Sequence, residues 1–194
     1  MLTNTFSSEK DFINESVRYI KEICDSCENP KIALSGGSTP QEVYKKLPKD
    51  LAEFYQVDER YIPYDNSDSN QKMIRETLNP ENFHHFDTSL PISEAIEKYK
   101  QDLPEQFDLI ILGVGTDGHT ASLFPDSPEF TEPIAHTQTI EHPIKDRLTI
   151  TFPTILKAKN ILVLLKGQNK EGVIEKHPTK KLLPHRAIKV HFTP

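Results

Sequence analysis

Residues 31–47 read KIALSGGSTPQEVYKKL, a stretch in which an apolar run, a glycine pair and a helical pattern follow one another. The run at residues 31–34 predicts a short buried strand. Residues 40–47 predict a helix with Pro40 in its first turn, where proline is favoured. Gly36 and Gly37 therefore follow the carboxyl end of a strand, which is where ligands bind in open α/β sheets.

The same alternation of strands and helices continues along the chain. Apolar residues at helical spacing predict a helix over residues 8–27, with Ser7 or Ser8 as its N-cap. Further helices are predicted over residues 67–78, 92–102 and about 168–176, and further strands over residues 54–57, 107–112, 148–152, 161–165 and 187–192.

Several of these strands are apolar throughout, which is typical of a parallel sheet that is covered on both faces. We therefore predict a single domain over residues 1–194, with a doubly wound, mostly parallel α/β sheet and helices on both faces. The chain ends close to the last predicted strand, so we expect that edge of the sheet to be exposed or to be covered by a partner chain.

Composition limits the classes of partner and compartment. The 194 residues carry 23 lysines and arginines against 29 aspartates and glutamates, a formal net charge of −6 that argues against nucleic acid and anionic membranes as partners. No apolar stretch approaches the ~18 residues of a membrane span, and no signal peptide is visible, so we expect a cytoplasmic protein. Cys24 and Cys27 are expected to be ordinary thiols, and the histidine spacing predicts no structural zinc site.

The glycine pair and the hydroxyl residues after it have the chemistry of a phosphate site. Gly36 and Gly37 let backbone amides approach an oxyanion, Ser38 and Thr39 add hydroxyl donors, and the helix start adds free N–H groups. The spacing is not that of a P-loop. The alternative is a tight strand–helix turn that simply needs glycine.

Charged residues follow the next predicted strand. Asp58, Glu59 and Arg60 stand directly after residues 54–57, where Arg60 is expected to pair with a ligand or with Asp58. A solvated loop without a function is the alternative interpretation.

The segment GVGTDGH at residues 113–119 matches the glycine spacing of a dinucleotide site. It falls in the middle of the chain, and no ribose-binding acid follows a next strand, so we reject that interpretation. A loop that holds Asp117 and His119 at the sheet edge fits better, with His119 as a general base whose tautomer Asp117 fixes. The alternative is a loop histidine that caps a backbone carbonyl.

Two cations follow or begin later strands. Arg147 begins a predicted strand and Lys170 follows Gly167 by three residues. Each is an ordinary surface charge on one interpretation, and together they bring positive charge to a phosphate on the other.

Taken together, these segments resemble the 6-phosphogluconolactonase family, which is related to the glucosamine-6-phosphate deaminases. The matching stretches are LSGGSTP at 34–40, VDERYIP at 57–63 with Ser69-Asn70, GVGTDGHTASLFP at 113–125, RLTITFP at 147–153, LKGQNK at 165–170 and Leu183-Pro184. They keep the family's order and cover residues ~10 to 190, and as a set they are specific to it.

The resemblance implies the modified Rossmann-like fold of that superfamily and hydrolysis of 6-phospho-D-glucono-1,5-lactone, with no metal and no cofactor. It implies a small-molecule sugar phosphate as partner. We expect no nucleic acid or membrane partner, and a monomer or weak homodimer. The implied site residues are the phosphate loop, cationic phosphate contacts, the base and the polar residues of the pocket: Gly36, Gly37, Ser38, Thr39, Arg147, Lys170, His119, Arg60, Asp58 and Asp117.

The chain departs from the family's pattern at a few points. Thr116 stands where the family usually has proline, so we expect a less rigid loop. The chain is shorter than typical members, and we expect it to lack much of the N-terminal lead-in and the helix after the last strand.

Two other functions compete on this fold. The related deaminases place a glutamate five residues after the loop histidine, where this chain has Phe124, which cannot relay a proton. A non-catalytic sugar-phosphate sensor would keep the phosphate loop but would need no base.

Overall fold

The computed structural model describes residues 2–167, 170, 172–182 and 187–192, with the backbone alone at residues 2–3 and 187–192. These residues form ten strands: β1 (Leu2–Phe6), β2 (Lys31–Leu34), β3 (Glu53–Gln56), β4 (Asp58–Arg60), β5 (Phe83–His84), β6 (Leu109–Gly113), β7 (Ile134–Gln138), β8 (Asp146–Ile150), β9 (Asn160–Lys166) and β10 (Ala187–Phe192). The α-helices of the described chain are α1 (Glu9–Asp25), α2 (Ser38–Tyr44), α3 (Asn70–Thr77), α4 (Ile92–Asp102) and α5 (Phe152–Ile155).

Seven strands form a parallel sheet in the order β1-β10-β9-β6-β2-β3-β5. The predicted parallel α/β sheet is therefore confirmed. The central strands are buried along most of their length, which explains why their sequences are apolar runs rather than alternating patterns.

The remaining strands form a separate antiparallel sheet in the order β4-β8-β7. The sequence did not predict this second sheet. The three charged residues expected to be the end of a strand form a strand of their own, β4, and the strand predicted at residues 148–152 lies at Asp146–Ile150 in the small sheet. In this sheet Arg60 of β4 is the direct partner of Arg147 of β8.

Helices cover one face of the large sheet. α1, α2 and α3 pack there on apolar residues of the central strands, including Ile32, Phe54 and Leu109. The first of these helices begins as predicted, because the backbone N–H of Asp11 donates to the Ser8 side chain at 3.4 Å and makes Ser8 the N-cap.

The opposite face is covered by α4, α5 and the small sheet. Tyr99 of α4 and Leu148 and Ile150 of β8 join the same buried cluster as Ile110 and Val163 of the large sheet. The prediction of helices on both faces is confirmed, and the small sheet supplies the remaining cover.

Two further predictions need correction. β10 is not an edge strand, because β1 pairs with it along residues 2–6 and forms the edge instead. The helix expected at about 168–176 is replaced, in its described part, by a short 3-10 helix at Val173–Glu175, which a second one follows at Thr179–Leu182. Residues 168, 169, 171, 183 and 184 lie outside the described residues. Along the described chain, no helix has the length and apolar character needed to span a bilayer.

Candidate active site

A cleft of about 300 Å³ lies at the carboxyl ends of the parallel strands, beside the small sheet. Nine of the ten residues that the sequence predicts for the site line this cleft: Gly36, Gly37, Ser38, Thr39, Asp58, Arg60, His119, Arg147 and Lys170. The tenth, Asp117, is joined to the cleft by a hydrogen bond to His119. The structure therefore brings together segments that are far apart in the sequence.

The glycine loop, residues 35–39, joins β2 to α2, and two hydrogen bonds at Ser35 fix its start. The hydroxyl of Ser35 donates to the carbonyl of Ile111 at 2.7 Å, and that of Tyr44 donates to the carbonyl of Ser35 at 3.0 Å. Gly37 has a φ of 104°, which strains any residue other than glycine. The N–H groups of Ser38 and Thr39 stand in the first turn of α2, where N–H groups have no acceptor within the helix and can donate to an anion.

His119 and Asp117 form a hydrogen-bonded pair beside this loop. Nδ1 of His119 lies 2.7 Å from Oδ1 of Asp117, and the backbone N–H of His119 donates to the same oxygen at 3.2 Å. When Nδ1 carries the proton of this bond, Nε2 keeps its lone pair and can accept a proton. Burial opposes ionisation of Asp117, but the charge and hydrogen bonds of His119 outweigh it and lower the pKa of Asp117.

The side chains of His119 and Asp117 pack directly against the backbone of Gly115. A Cβ at this position would lie 2.2 Å from Cε1 and Nδ1 of the His119 ring and 2.4 Å from Oδ1 of Asp117. The turn is closed by two backbone hydrogen bonds, from Gly115 to the carbonyl of His119 at 2.8 Å and from Gly118 to the carbonyl of Gly115 at 3.1 Å. Gly115 is therefore needed because the base and its partner occupy the space of a side chain.

Four cations line the cleft, and Arg60, Arg147 and Lys170 are the three that the sequence predicted. Arg147 is buried, and its Nε donates to the carbonyl of Ile144 at 3.1 Å. Burial, and secondly the charge of Arg60, lower the pKa of Arg147. Burial also lowers the pKa of Lys170, whose ammonium donates to the carbonyl of Val114. The four lining cations outnumber the one lining carboxylate, Asp58, so the cleft favours an anionic ligand.

Only some of the hydrogen-bond donors of the Arg60 guanidinium have partners. One of its terminal nitrogens donates to the carbonyl of Asp68, while its buried Nε has no hydrogen-bond partner among the described residues. A buried donor without a partner is costly to keep and is common at sites that bind a ligand. Of the two partners expected for Arg60, a ligand or Asp58, the second is not observed, because no hydrogen bond or salt bridge joins the described side chains of Arg60 and Asp58.

Asp58 is buried and both of its carboxylate oxygens are occupied. Oδ2 accepts from the hydroxyl of Ser122 at 2.6 Å, and Oδ1 accepts from Nδ2 of Asn70 at 3.2 Å. Asp58 thus holds two polar side chains on the wall of the cleft. Neither of them was predicted as a site residue, although both stand in segments that carry the family resemblance.

Glu59 fixes the neighbouring helix. Its carboxylate accepts from the backbone N–H groups of Asn70 at 2.8 Å and Gln71 at 2.7 Å, at the start of α3, and from Nε2 of Gln56 at 2.7 Å. Burial raises the pKa of Glu59 and these donors oppose the shift. Glu59 therefore positions α3, and with it Asn70, from inside the protein.

His142 is a second imidazole in the cleft, and no sequence pattern predicted it as a site residue. It comes from the segment between β7 and β8, and its ring lies edge-on to His119 at 5.6 Å and 5.8 Å from the ring of Phe124. Burial, followed by the charges of His119 and Arg147, lowers the pKa of His142. The ring of His142 thus covers one side of His119. In the part of the chain that the structure describes, no group of three histidine, cysteine or acidic side chains is arranged to hold a metal ion.

The sheet order and the cleft at the strand ends define a protein of the doubly wound α/β class. The family described as "Glucosamine-6-phosphate isomerases/6-phosphogluconolactonase" matches residues 7–192. The chain belongs to this family.

Curated relatives and solved structures are consistent with this family. The chain is 37% identical to a probable 6-phosphogluconolactonase of Dictyostelium discoideum over 89% of this chain and 85% of the relative. It is 35% identical to the 6-phosphogluconolactonase of Thermotoga maritima over 82% of this chain and 80% of the relative. The crystal structure of a Thermotoga maritima 6-phosphogluconolactonase superposes with a TM-score of 0.85 at 28% identity, covering 100% of this chain and 99% of that chain. A monomeric glucosamine-6-phosphate deaminase, 17% identical, has the same fold with a TM-score of 0.86, covering 100% of this chain and 97% of that chain.

Proposed function

We propose that this protein hydrolyses 6-phospho-D-glucono-1,5-lactone to 6-phospho-D-gluconate. The observation that carries the proposal is that one cleft contains both an oxyanion-type glycine loop and the His119–Asp117 pair. The first suits the phosphate of a sugar phosphate, and the second suits deprotonation of the water that attacks a lactone carbonyl. The relatives that are 35–37% identical carry the name of this activity.

The phosphate end is assigned to the loop of Gly36, Gly37, Ser38 and Thr39. These four residues line the cleft, and Arg147 and Lys170 supply positive charge there. Binding of the phosphate fixes the distance of the carbonyl from the base, so that binding energy from a remote group serves orientation at the reacting carbon.

The reaction itself is assigned to His119. Nε2 takes a proton from water as its oxygen bonds to the lactone carbonyl carbon, and a tetrahedral oxyanion forms. Backbone N–H groups or the guanidinium of Arg60 stabilise this oxyanion. The protonated imidazole then gives its proton to the ring oxygen as the carbon–oxygen bond of the ring breaks. Asp117 holds the ring in the required tautomer throughout.

Asp58 is assigned a positioning role. Its two oxygens each accept a hydrogen bond from a side chain of the cleft wall, Ser122 and Asn70, and so hold both side chains in place. This role differs from a direct role in proton transfer, and it accounts for a buried carboxylate in the same cleft as His119.

A deaminase or isomerase activity is the second candidate, and the structure offers a reason against it. Phe124 stands where the deaminases place a glutamate, and its ring packs 5.1 Å from the ring of His119. An apolar ring can neither accept nor donate the proton that ring opening and transfer between carbons require. A non-catalytic sensor would have no need for the His119–Asp117 pair.

The test is a lactone hydrolysis assay read against the spontaneous rate, with glucosamine-6-phosphate in a parallel reaction. We expect hydrolysis of the phosphorylated lactone and no release of ammonia. His119→Ala is expected to lower kcat by about 10²–10⁴-fold, while the Kd for 6-phosphogluconate stays nearly unchanged. Unchanged turnover in this variant would remove His119 from the mechanism.

A further inference from the structure

Lys166 is a cation of the cleft that no part of the proposed mechanism uses. It is the last residue of β9 and lines the cleft together with Ser38 of the glycine loop. The same two residues also line a neighbouring groove beside α1 and α2. Lys166 therefore lies on the wall between the two, next to the loop that is assigned to the phosphate.

Lys166 forms an ion pair with one carboxylate. Its ammonium pairs with Glu9, the first residue of α1. The two side chains are 37% and 44% exposed. Ion pairs at this level of exposure contribute little to stability, so a stronger anion can displace one partner at low cost.

A phosphate dianion is such an anion. It carries more charge than a carboxylate and offers three acceptor oxygens, and a lysine ammonium on a flexible stem can turn toward it without moving the backbone. Lys170, the other lysine of the cleft, donates to the carbonyl of Val114, and Arg147 is fixed by the carbonyl of Ile144. Lys166 is thus held by a side chain that can be exchanged, whereas these two are held by the main chain.

We propose that Lys166 is a specificity-determining residue that exchanges Glu9 for the phosphate of the substrate. The proposal rests on the proposed function and extends its phosphate site by one residue. Glu9 is then a positioning residue: it keeps the ammonium beside Ser38 in the free protein and competes with the ligand for it.

If this exchange takes place, replacing Lys166 and replacing Glu9 should change the affinity for phosphate in opposite directions. Lys166→Met removes the cation and should weaken binding of phosphate. Glu9→Gln removes the competitor and should strengthen it. A pair that only fastens β9 to α1 would be lost equally in both variants, so both would change binding in the same direction or not at all.

The experiment measures Kd by calorimetry for inorganic phosphate, 6-phosphogluconate and gluconate, with kcat and KM for the phosphorylated lactone. For Lys166→Met we expect Kd for the two phosphorylated ligands, and KM, to rise about tenfold, with kcat within about twofold. For Glu9→Gln we expect Kd to fall about threefold. The double variant should match Lys166→Met. Binding of gluconate should not change.

The matched control is Lys49→Met, which breaks an exposed lysine–glutamate pair with Glu81 at 2.8 Å that does not line the cleft. It should leave every constant unchanged. Changes of the same sign in Lys166→Met and Glu9→Gln, or no change in either, would overturn the proposal. These results are separate from a failure of the proposed function, which would appear as an unmodified protein that neither hydrolyses the lactone nor binds 6-phosphogluconate.

Discussion

Replacing Gly115 with alanine tests whether the placement of His119 sets the rate. The added Cβ would lie 2.2 Å from Cε1 and Nδ1 of the imidazole, whereas ordinary contact begins at 3.4 Å. The ring must therefore move by about 1.2 Å, or the loop must move with it. The φ angle of Gly115 lies outside the left-handed region, so the backbone itself accepts alanine and the effect comes from the side chains.

A displacement of about 1 Å can lower a rate by about 10²-fold, which corresponds to about 2.7 kcal/mol in the activation free energy. We expect kcat for the phosphorylated lactone to fall by this factor in Gly115→Ala. The Kd for 6-phosphogluconate should change little, because the glycine loop that is assigned to the phosphate belongs to another segment of the chain.

Gly113→Ala is the matched variant two residues away. A Cβ at position 113 would meet no atom within 4 Å, so we expect a far smaller loss of kcat than in Gly115→Ala. Steady-state kinetics of the two variants side by side, with thermal unfolding to check the fold, makes the comparison. Equal kcat in both would refute the argument that the position of the imidazole over Gly115 limits the reaction.

Three further predictions concern single side chains. Arg147→Ala and Lys170→Ala should each raise the Kd for 6-phosphogluconate by about tenfold or more and leave that for gluconate almost unchanged; equal losses for both ligands would show that these cations do not bind phosphate. Asp117→Asn should lower kcat by about 10²-fold, since His119 loses the partner that fixes its tautomer, while calorimetric binding of 6-phosphogluconate persists. Because the pKa of His142 is lowered in the folded state, the unfolded chain binds more protons, and the free energy of unfolding should fall as the pH drops below about 6.5. Urea unfolding of His142→Phe should show a weaker dependence of this free energy on pH in that range. An equal dependence in the variant and the unmodified protein would contradict this assignment.

Local patterns were enough to predict the parts of the site that depend on short segments. The apolar run before Gly36 and the helical pattern after Pro40 are properties of neighbouring residues, and the structure has β2 and α2 there. The helix at residues 92–102 and the strand at 187–192 have the predicted bounds for the same reason. The resemblance to a family then placed the scattered polar residues in one cleft.

The pairing of strands that are far apart in the chain could not be predicted from local sequence patterns. β4 has three residues, all charged, and becomes a strand because β8, almost ninety residues later, pairs with it. Residues 2–6 become an edge strand only because β10 lies beside them. Neither pairing leaves a local signature, because strand partners are selected by tertiary packing.

The missed site residues have the same explanation. His142 lies in an irregular segment between β7 and β8, and only the antiparallel pairing of these strands brings it to His119. Ser122 and Asn70 are ordinary polar residues in sequence, and their importance follows from the buried carboxylate of Asp58 that holds both.

The most direct test of the account is the structure of this protein with 6-phosphogluconate bound. We expect the phosphate at the N–H groups of Ser38 and Thr39 and the carboxylate carbon next to Nε2 of His119, at hydrogen-bonding distance for its oxygens. A phosphate bound away from the glycine loop, or a carboxylate beyond the reach of His119, would contradict the account.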